Sequence, residues 1–272
     1  VSPGLIGGSV ARGARARRLA AEVVVVARHE ATCRAVLAAG AADVATTDLT
    51  AGVAGATLVV LCAPVGALPG MIRAVWPHLA PGAVLTDAGS VKRSVVEAAL
   101  ACPARPGVAF VGGHPMAGSE RSGFEASDGD LFDGRLALLT PTPDTPEWAL
   151  AAATTLWEGL GSTVRHLSAE THDHLVAQIS HLPHLLAYAL VSAADGDALP
   201  LAGRGFVDTT RIAASAEGLW ADIFRENRGP LLDAVDRYEA VLGRWRALVA
   251  RGDWAGLEAE LGRAREVREK LA

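Results

Sequence analysis

What most limits the fold of this chain is a rhythm in its first 167 residues: short apolar runs alternate with stretches of helical spacing. Residues 23–26 are consecutive valines, and apolar runs return at 56–62, 84–86 and 108–111. Runs without polar alternation bury both faces of a strand, which is the mark of a parallel sheet covered on each side. Helical segments are read at 10–21 and 31–39, the second stopped by Gly40. Two further strands, 136–140 and 163–167, flank a proline-rich turn (141–146) and a helix. Strand–helix alternation of this kind predicts an α/β fold with a doubly wound parallel sheet. From residue 168 onward no β-rich run follows. Apolar residues instead recur at helical spacing, as in Leu231, Val235, Tyr238, Leu242, Trp245 and Leu248. The expected organisation is an α/β domain at 1–167 and an all-helical domain at 168–272, with the stripe read as the seam of a homodimer.

Open α/β sheets bind ligands outside the carboxyl ends of their strands, so the loops there carry the chemistry. The first is Ser2-Pro3-Gly4-Leu5-Ile6-Gly7. Gly4 and Gly7 have the spacing of the second and third glycines of a dinucleotide fingerprint, with Leu5 and Ile6 between them. Ser2 stands where the first glycine is expected and no strand precedes it, so the leading strand of a Rossmann-like domain is expected upstream of Val1. Ala63-Pro64 follows the 56–62 run and Ser90 follows the 84–86 run; both are placed in the same crevice. After the valine run the chain reads Ala27-Arg28-His29, with no acid before Glu30. A carboxylate there suits the ribose of NAD, whereas arginine suits the 2′-phosphate of NADP. Arg28 therefore favours NADP over NAD, the alternative being a solvated loop residue.

The fourth strand-end loop is Gly112-Gly113-His114-Pro115-Met116-Ala117-Gly118-Ser119-Glu120. Its imidazole, stiffened by the following proline, is a candidate general acid or base; the alternative is a structural or solvated histidine. Lys92, one of only two lysines, lies in the neighbouring loop. His181 and His184 share a helical face, but no third and fourth ligand with zinc-like spacing accompanies them, and no metal is expected. Arg211 is the one arginine in a small, apolar segment, read as a clamp for a carboxylate or as a capping or ion-paired residue. The net charge of −5 and the lack of any basic block argue against nucleic acid. Three cysteines in no zinc pattern, with neither a leader nor an uninterrupted spanning run, set the expectation of a cytoplasmic protein with no membrane partner.

Taken together, Gly4 to Ser9, Asp87-Ala88-Gly89-Ser90-Val91-Lys92, the Gly112 to Glu120 block, Ser180 to His184, and Phe206 to Arg211 with Trp220 resemble the prephenate/arogenate dehydrogenase family of tyrosine biosynthesis. The resemblance implies an NAD(P)-dependent oxidoreductase that removes hydride and CO2 from a cyclohexadienol as its ring aromatises. It implies His114 as the catalytic base, Ser90 as the residue orienting the hydroxyl and nicotinamide, and Arg211 on the ring carboxylate. His184 and Trp220 would line the substrate pocket, His181 would support it, and Glu120 would gate it. A histidine at 184 points to prephenate, yielding 4-hydroxyphenylpyruvate. Arogenate, yielding tyrosine directly, is the alternative substrate. A non-catalytic dinucleotide-binding relative is the reading from a different class.

Overall fold

The apolar runs form strands because each can be buried on both faces. In the computed structural model, which describes residues 1–119 and 121–271, β1 (Val24–Val26) and β2 (Val44–Thr46) pair in parallel. A second sheet takes β3 (Leu58–Leu61), β4 (Val84–Asp87), β5 (Ala109–Pro115), β6 (Leu136–Thr140) and β7 (Thr163–His166) in that order. Val1 and Ser2 bridge the two sheets at their carboxyl ends. The Val1 amine donates to Val60 O (2.8 Å), Cys62 N–H donates to Val1 O (3.0 Å), and Ser2 N–H donates to Val26 O (2.9 Å).

The helices run in chain order α1 (Leu5–Ala16), α2 (Glu30–Ala38), α3 (Leu49–Val53), α4 (Leu68–Val75), α5 (Arg93–Leu100) and α6 (Glu147–Gly159). They continue as α7 (Ala169–Val176), α8 (Leu182–Ala193), α9 (Arg204–Thr210), α10 (Glu217–Glu226), α11 (Arg228–Arg251) and α12 (Trp254–Glu269). Leu68 and Ile72 of α4 and Val95 of α5 pack with Leu61 and Leu85 in one core. Ala149, Ala153 and Trp157 of α6 pack with Val84, Val111 and Leu139 in a second. A sheet that buries apolar residues in two such cores is doubly wound.

Three expectations need correction, and one strand was not read at all. The sheet is mixed, because β6 runs antiparallel to β5, with His114 opposite Leu138. Among the described residues no α-helix lies between them, only the short 3-10 turn Phe124–Ala126. The chain instead passes over α1, where Asp128 N–H donates to Ser9 Oγ (2.9 Å) and Arg12 lies over the Phe124 ring, so it re-enters the sheet from the end it left. His114 therefore sits in a paired strand rather than a loop. The first helix spans Leu5–Ala16 rather than 10–21, since its opening glycines lie in its first turn. Finally, β2 is too short and too exposed to stand out from sequence.

The chain divides into two compact units, 1–227 and 228–272. The first holds both sheets and helices α1–α10. The second is the hairpin of α11 and α12, turned at Gly252 (φ +68°) and opened by the Asp253 carboxylate accepting from Gly256 N–H (3.0 Å). One helical stretch, Ala169–Ala193, is long and apolar enough to cross a membrane by length and composition. It also carries the fully buried His172 and His181, which a core helix with polar partners accommodates and a lipid-facing helix does not.

Ser2 adopts φ +65°, the left-handed conformation that glycine takes without strain. Ser2→Gly is expected to stabilise the fold by about 1 kcal/mol, the scale of the steric cost of that conformation for an L residue. Urea unfolding reads the shift in midpoint, and an unchanged midpoint would show that Ser2 is unstrained.

Candidate active site

The base candidate is held by the close approach of β5 to β4. Gly113 N–H donates to Asp87 Oδ1 (3.1 Å), while Asp87 Oδ2 accepts from Gly89 N–H (2.8 Å) and from the Lys92 ammonium. A Cβ on Gly113 would lie 2.6 Å from Asp87 O, and one on Gly112 would lie 2.3 Å from Thr140 Oγ1. Only glycines fit there, which is the physical meaning of the pair preceding His114. Asp87 and Lys92 are both fully buried. Burial lowers the Lys92 pKa, and the Asp87 carboxylate opposes that shift.

From this frame a chain of hydrogen bonds runs to the helical segments of the same unit. His114 Nδ1 is 2.9 Å from His172 Nε2, and His172 Nδ1 is 2.8 Å from Asp173 Oδ1. Asp173 also accepts from the backbone N–H of Lys92 (2.7 Å) and Arg93 (2.9 Å). Burial opposes the Asp173 charge, but the bonds from His172, Arg93 and Lys92 outweigh it and hold the carboxyl below its ordinary range. An ionised carboxylate only accepts, so His172 carries its proton on Nδ1 and offers the Nε2 lone pair. His114 must then carry its proton on Nδ1. Its Nε2 is left as the basic atom, by the same logic that orients the histidine of a Ser-His-Asp triad. Burial, with the charges of His172, Lys92 and His181, pushes His114 well below the usual imidazole value, so it is neutral at pH 7.

Pro183 lies in the first turn of α8 and cannot donate to the carbonyl four residues earlier. The helix passes that point as a π-helical turn, Ala177–His181, a distortion concentrated at functional sites. His184 Nδ1 donates to Ser180 O (2.8 Å), and its ring stacks on Trp220 at 3.5 Å between centroids and 20° between planes. Burial lowers the His184 pKa, the Ser180 bond opposes this, and the Arg211 charge adds to the lowering. Arg211 thus acts on His184 from the turn Arg211–Ala214 that follows α9. His181 packs edge-on against Trp220 (6.1 Å).

Ser90 follows β4, half-buried beside the His114 strand, and its backbone faces His181. Gly4 caps α1 without a side-chain bond, so the first amides of Leu5 and Ile6 have no side-chain acceptor at the cap. At Gly7 a Cβ would lie 2.4 Å from Ser2 O and 3.0 Å from Cys62 Cβ. A helix N-terminus kept bare and close to the strand ends fits a pyrophosphate. Ala63 and Pro64 leave β3 beside it, and Arg28 is exposed just past β1. Glu120 lies outside the described residues. Sequence reading missed the roles of His172, Asp173 and Asn227. The adjacent His172-Asp173 pair was the available signal, whereas Asn227 carried none. Among the described residues no group of three or more His, Cys, Asp or Glu is placed to hold a metal.

A glycine-lined helix start at the strand ends, in a sheet that also carries a buried, oriented imidazole, is the arrangement of the nucleotide-dependent dehydrogenases. Two family descriptions match the chain: "Prephenate dehydrogenase, nucleotide-binding domain" over residues 10–166 and "Prephenate dehydrogenase, dimerization domain" over 168–263. The cyclohexadienyl dehydrogenase of Zymomonas mobilis is 35% identical over 257 residues, 92% of this chain and 87% of that protein. The prephenate dehydrogenase of Bacillus subtilis is 32% identical over 98% of this chain and 74% of its own length. The crystal structure of prephenate dehydrogenase from A. aeolicus with hydroxyphenyl propionate and NAD+ superposes with a TM-score of 0.92 at 30% identity, covering 100% of this chain and 96% of that one. The chain belongs to the prephenate dehydrogenase family.

Lys92→Met leaves the Asp87 charge buried without its partner. Unfolding should cost about 3–5 kcal/mol less than in the parent protein, the usual result of breaking a buried pair from one side. Chemical denaturation checks this, and a loss below 1 kcal/mol would mean that the pair is not desolvated.

Proposed function

We propose that the protein is a prephenate dehydrogenase, converting prephenate and NAD(P)+ to 4-hydroxyphenylpyruvate, CO2 and NAD(P)H. The observation that carries this reading is the His114–His172–Asp173 chain, which leaves His114 Nε2 as a neutral acceptor. In the reaction the 4-hydroxyl proton passes to that nitrogen while the C4–O bond gains double-bond character. The carboxylate on the opposite ring carbon leaves as CO2, its bonding pair shifts through the ring toward the oxygen as the ring aromatises, and the phenolate takes its proton back from His114. A bound nicotinamide would supply the acceptor for the C4 hydrogen, which leaves as hydride. Leu5, Ile6 and Gly7 would hold the pyrophosphate at the end of α1, with Gly4 before them and Ala63-Pro64 alongside. Ser90 would orient the hydroxyl and the nicotinamide, and Arg211 would bind the ring carboxylate. His181, His184 and Trp220 would line and support the pocket, and Glu120 would close it. Positioning by these groups and one proton acceptor suffice, because aromatisation drives the rest.

The functional halves are taken as 1–167 for the dinucleotide and 168–272 for substrate and dimer formation. Ile179, Leu190, Val191 and Val207 expose apolar surface in the helical half, as do Tyr238 and Leu242, which supports a homodimer. Arogenate is the second reading, and one feature favours it. His184 donates from Nδ1 to Ser180 and offers only an Nε2 lone pair, which suits an ammonium better than a keto acid. NADP is the proposed cofactor, since Arg28 stands where an acid would repel the 2′-phosphate. Comparing kcat/KM for prephenate and arogenate with each cofactor tests the whole reading; no turnover of either substrate would end it.

His114→Asn should lower kcat by about 10²–10⁴-fold with cofactor binding intact. The neutral ring is the active form and its pKa is depressed, so the acid limb of kcat should fall below pH 6.5, the ordinary imidazole value. A limb above that, or full activity in the variant, would remove His114 from its role. Arg28→Asp should lower kcat/KM for NADP by roughly ten- to a hundredfold, the worth of a hydrogen bond to a charged group, while sparing NAD. Equal losses with both cofactors would mean that Arg28 does not read the phosphate.

A further inference from the structure

Asn227 closes α10, and its side chain is 1% exposed. One atom of its amide lies 2.8 Å from the Asp173 backbone oxygen and 3.0 Å from His181 Nδ1. A carbonyl oxygen only accepts, so the atom facing it is the amide nitrogen, and its orientation is not open to a flip. That nitrogen has two hydrogens. One goes to Asp173 O, and the other points at His181 Nδ1, which must present a lone pair. His181 therefore carries its single proton on Nε2. This Nε2 is buried, has no hydrogen bond of normal geometry among the described residues, and belongs to a ring that faces the Ser90 backbone.

We propose that Asn227 is a positioning residue: with one amide it locks His181 as a neutral Nε2–H donor bracing the Ser90 segment, and anchors the Asp173 backbone beneath the His114–His172 chain. This deepens the dehydrogenase reading and rests on it for its kinetic consequence. A donor amide facing Nδ1 is incompatible with imidazolium, which has hydrogens on both nitrogens. The surroundings agree. Burial dominates and pushes His181 down to about 4, with His172 and His184 lowering it further and Asp173 and the Ser90 backbone opposing them. His114, the remaining titratable group that acts on this ring, is itself neutral.

Removing the amide changes the sign of the contact. In Asn227→Asp the carboxylate accepts instead of donating, so His181 must carry a proton on Nδ1. It then either turns an Nε2 lone pair toward the Ser90 backbone oxygen or becomes charged.

The test uses the full-length protein labelled with 15N-histidine, the His181 signal being identified by its loss in His181→Gln. Long-range 15N–1H correlation should show His181 as the Nε2–H tautomer, without titration between about pH 5.5 and 8, the range in which an ordinary histidine changes charge. In Asn227→Asp the same signal should show protonated Nδ1. The kcat for the cyclohexadienol substrate should fall by about tenfold or more with the cofactor Kd unchanged, as when a partner that orients an active group is lost. The pH profile of kcat should gain an ionisation that the double variant with His181→Gln lacks. A parent protein with His181 as Nδ1–H, or titrating like a free histidine, overturns the proposal without any variant. So does an Asn227→Asp protein with unchanged tautomer and kcat. The tautomer is read without substrate, so failure of the enzyme to turn over any cyclohexadienol would count against the dehydrogenase reading and leave this measurement to stand alone.

Discussion

The site depends on one carboxylate, that of Asp173. It lies in α7, yet two of the groups it accepts from are the Lys92 and Arg93 amides that open α5. A helix N-terminus stabilises negative charge, and a carboxylate drawn there from a remote segment both stays ionised and ties the two segments together. Its remaining bond orients His172, and through it His114. Tertiary anchoring, tautomer selection and exposure of a basic nitrogen thus follow from one group.

Asp87 does the equivalent work inside the sheet. It gathers Gly89, Gly113 and Lys92, so the loop carrying Ser90 and the strand carrying His114 are tied to one carboxylate. Among the described residues, the buried charges in this region are Asp87, Lys92 and Asp173. With every histidine neutral they leave one negative charge uncompensated, and a proton taken up at His114 restores neutrality. A base with a depressed pKa is a weak one. Here its protonated form feels the Lys92 charge but is linked through His172 to Asp173, which limits the cost of holding the proton while the ring becomes aromatic. In the proposed reaction that is the moment at which the charge is needed.

The parts of this architecture visible in the sequence are those written locally. Strands β1 and β3 to β5 could be read from consecutive apolar residues, and the two glycines before His114 marked a close approach that the Asp87 contacts explain. Features created by pairing over distance could not be read. His114 looked like a loop residue because its partner Leu138 comes more than twenty positions later, across a segment with no strand signal. His172 was given no role, since nothing within its own helix says that a strand histidine will lie 2.9 Å away. Asn227 was invisible for the same reason: a single amide at a helix end has no pattern, and its meaning comes from Asp173 and His181 arriving on either side. Arg28 could be read as a charge but not as a contact, and it stays exposed.

The apolar helix α8 serves two demands that its composition alone cannot separate. Its start carries His184 and follows His181, both facing polar or aromatic partners within the fold, while Leu190 and Val191 further along are exposed. A helix apolar on every side is expected where every side is covered, in a core or in lipid. Buried histidines with polar partners on one stretch exclude lipid there, and water alone is a poor neighbour for the other. A protein surface is the cover that the proposed homodimer would supply, in keeping with the dimerization-domain description that matches this half. In that proposed arrangement the helix start that bears His184 and the exposed stretch at Leu190 and Val191 belong to one element, about two helical turns apart.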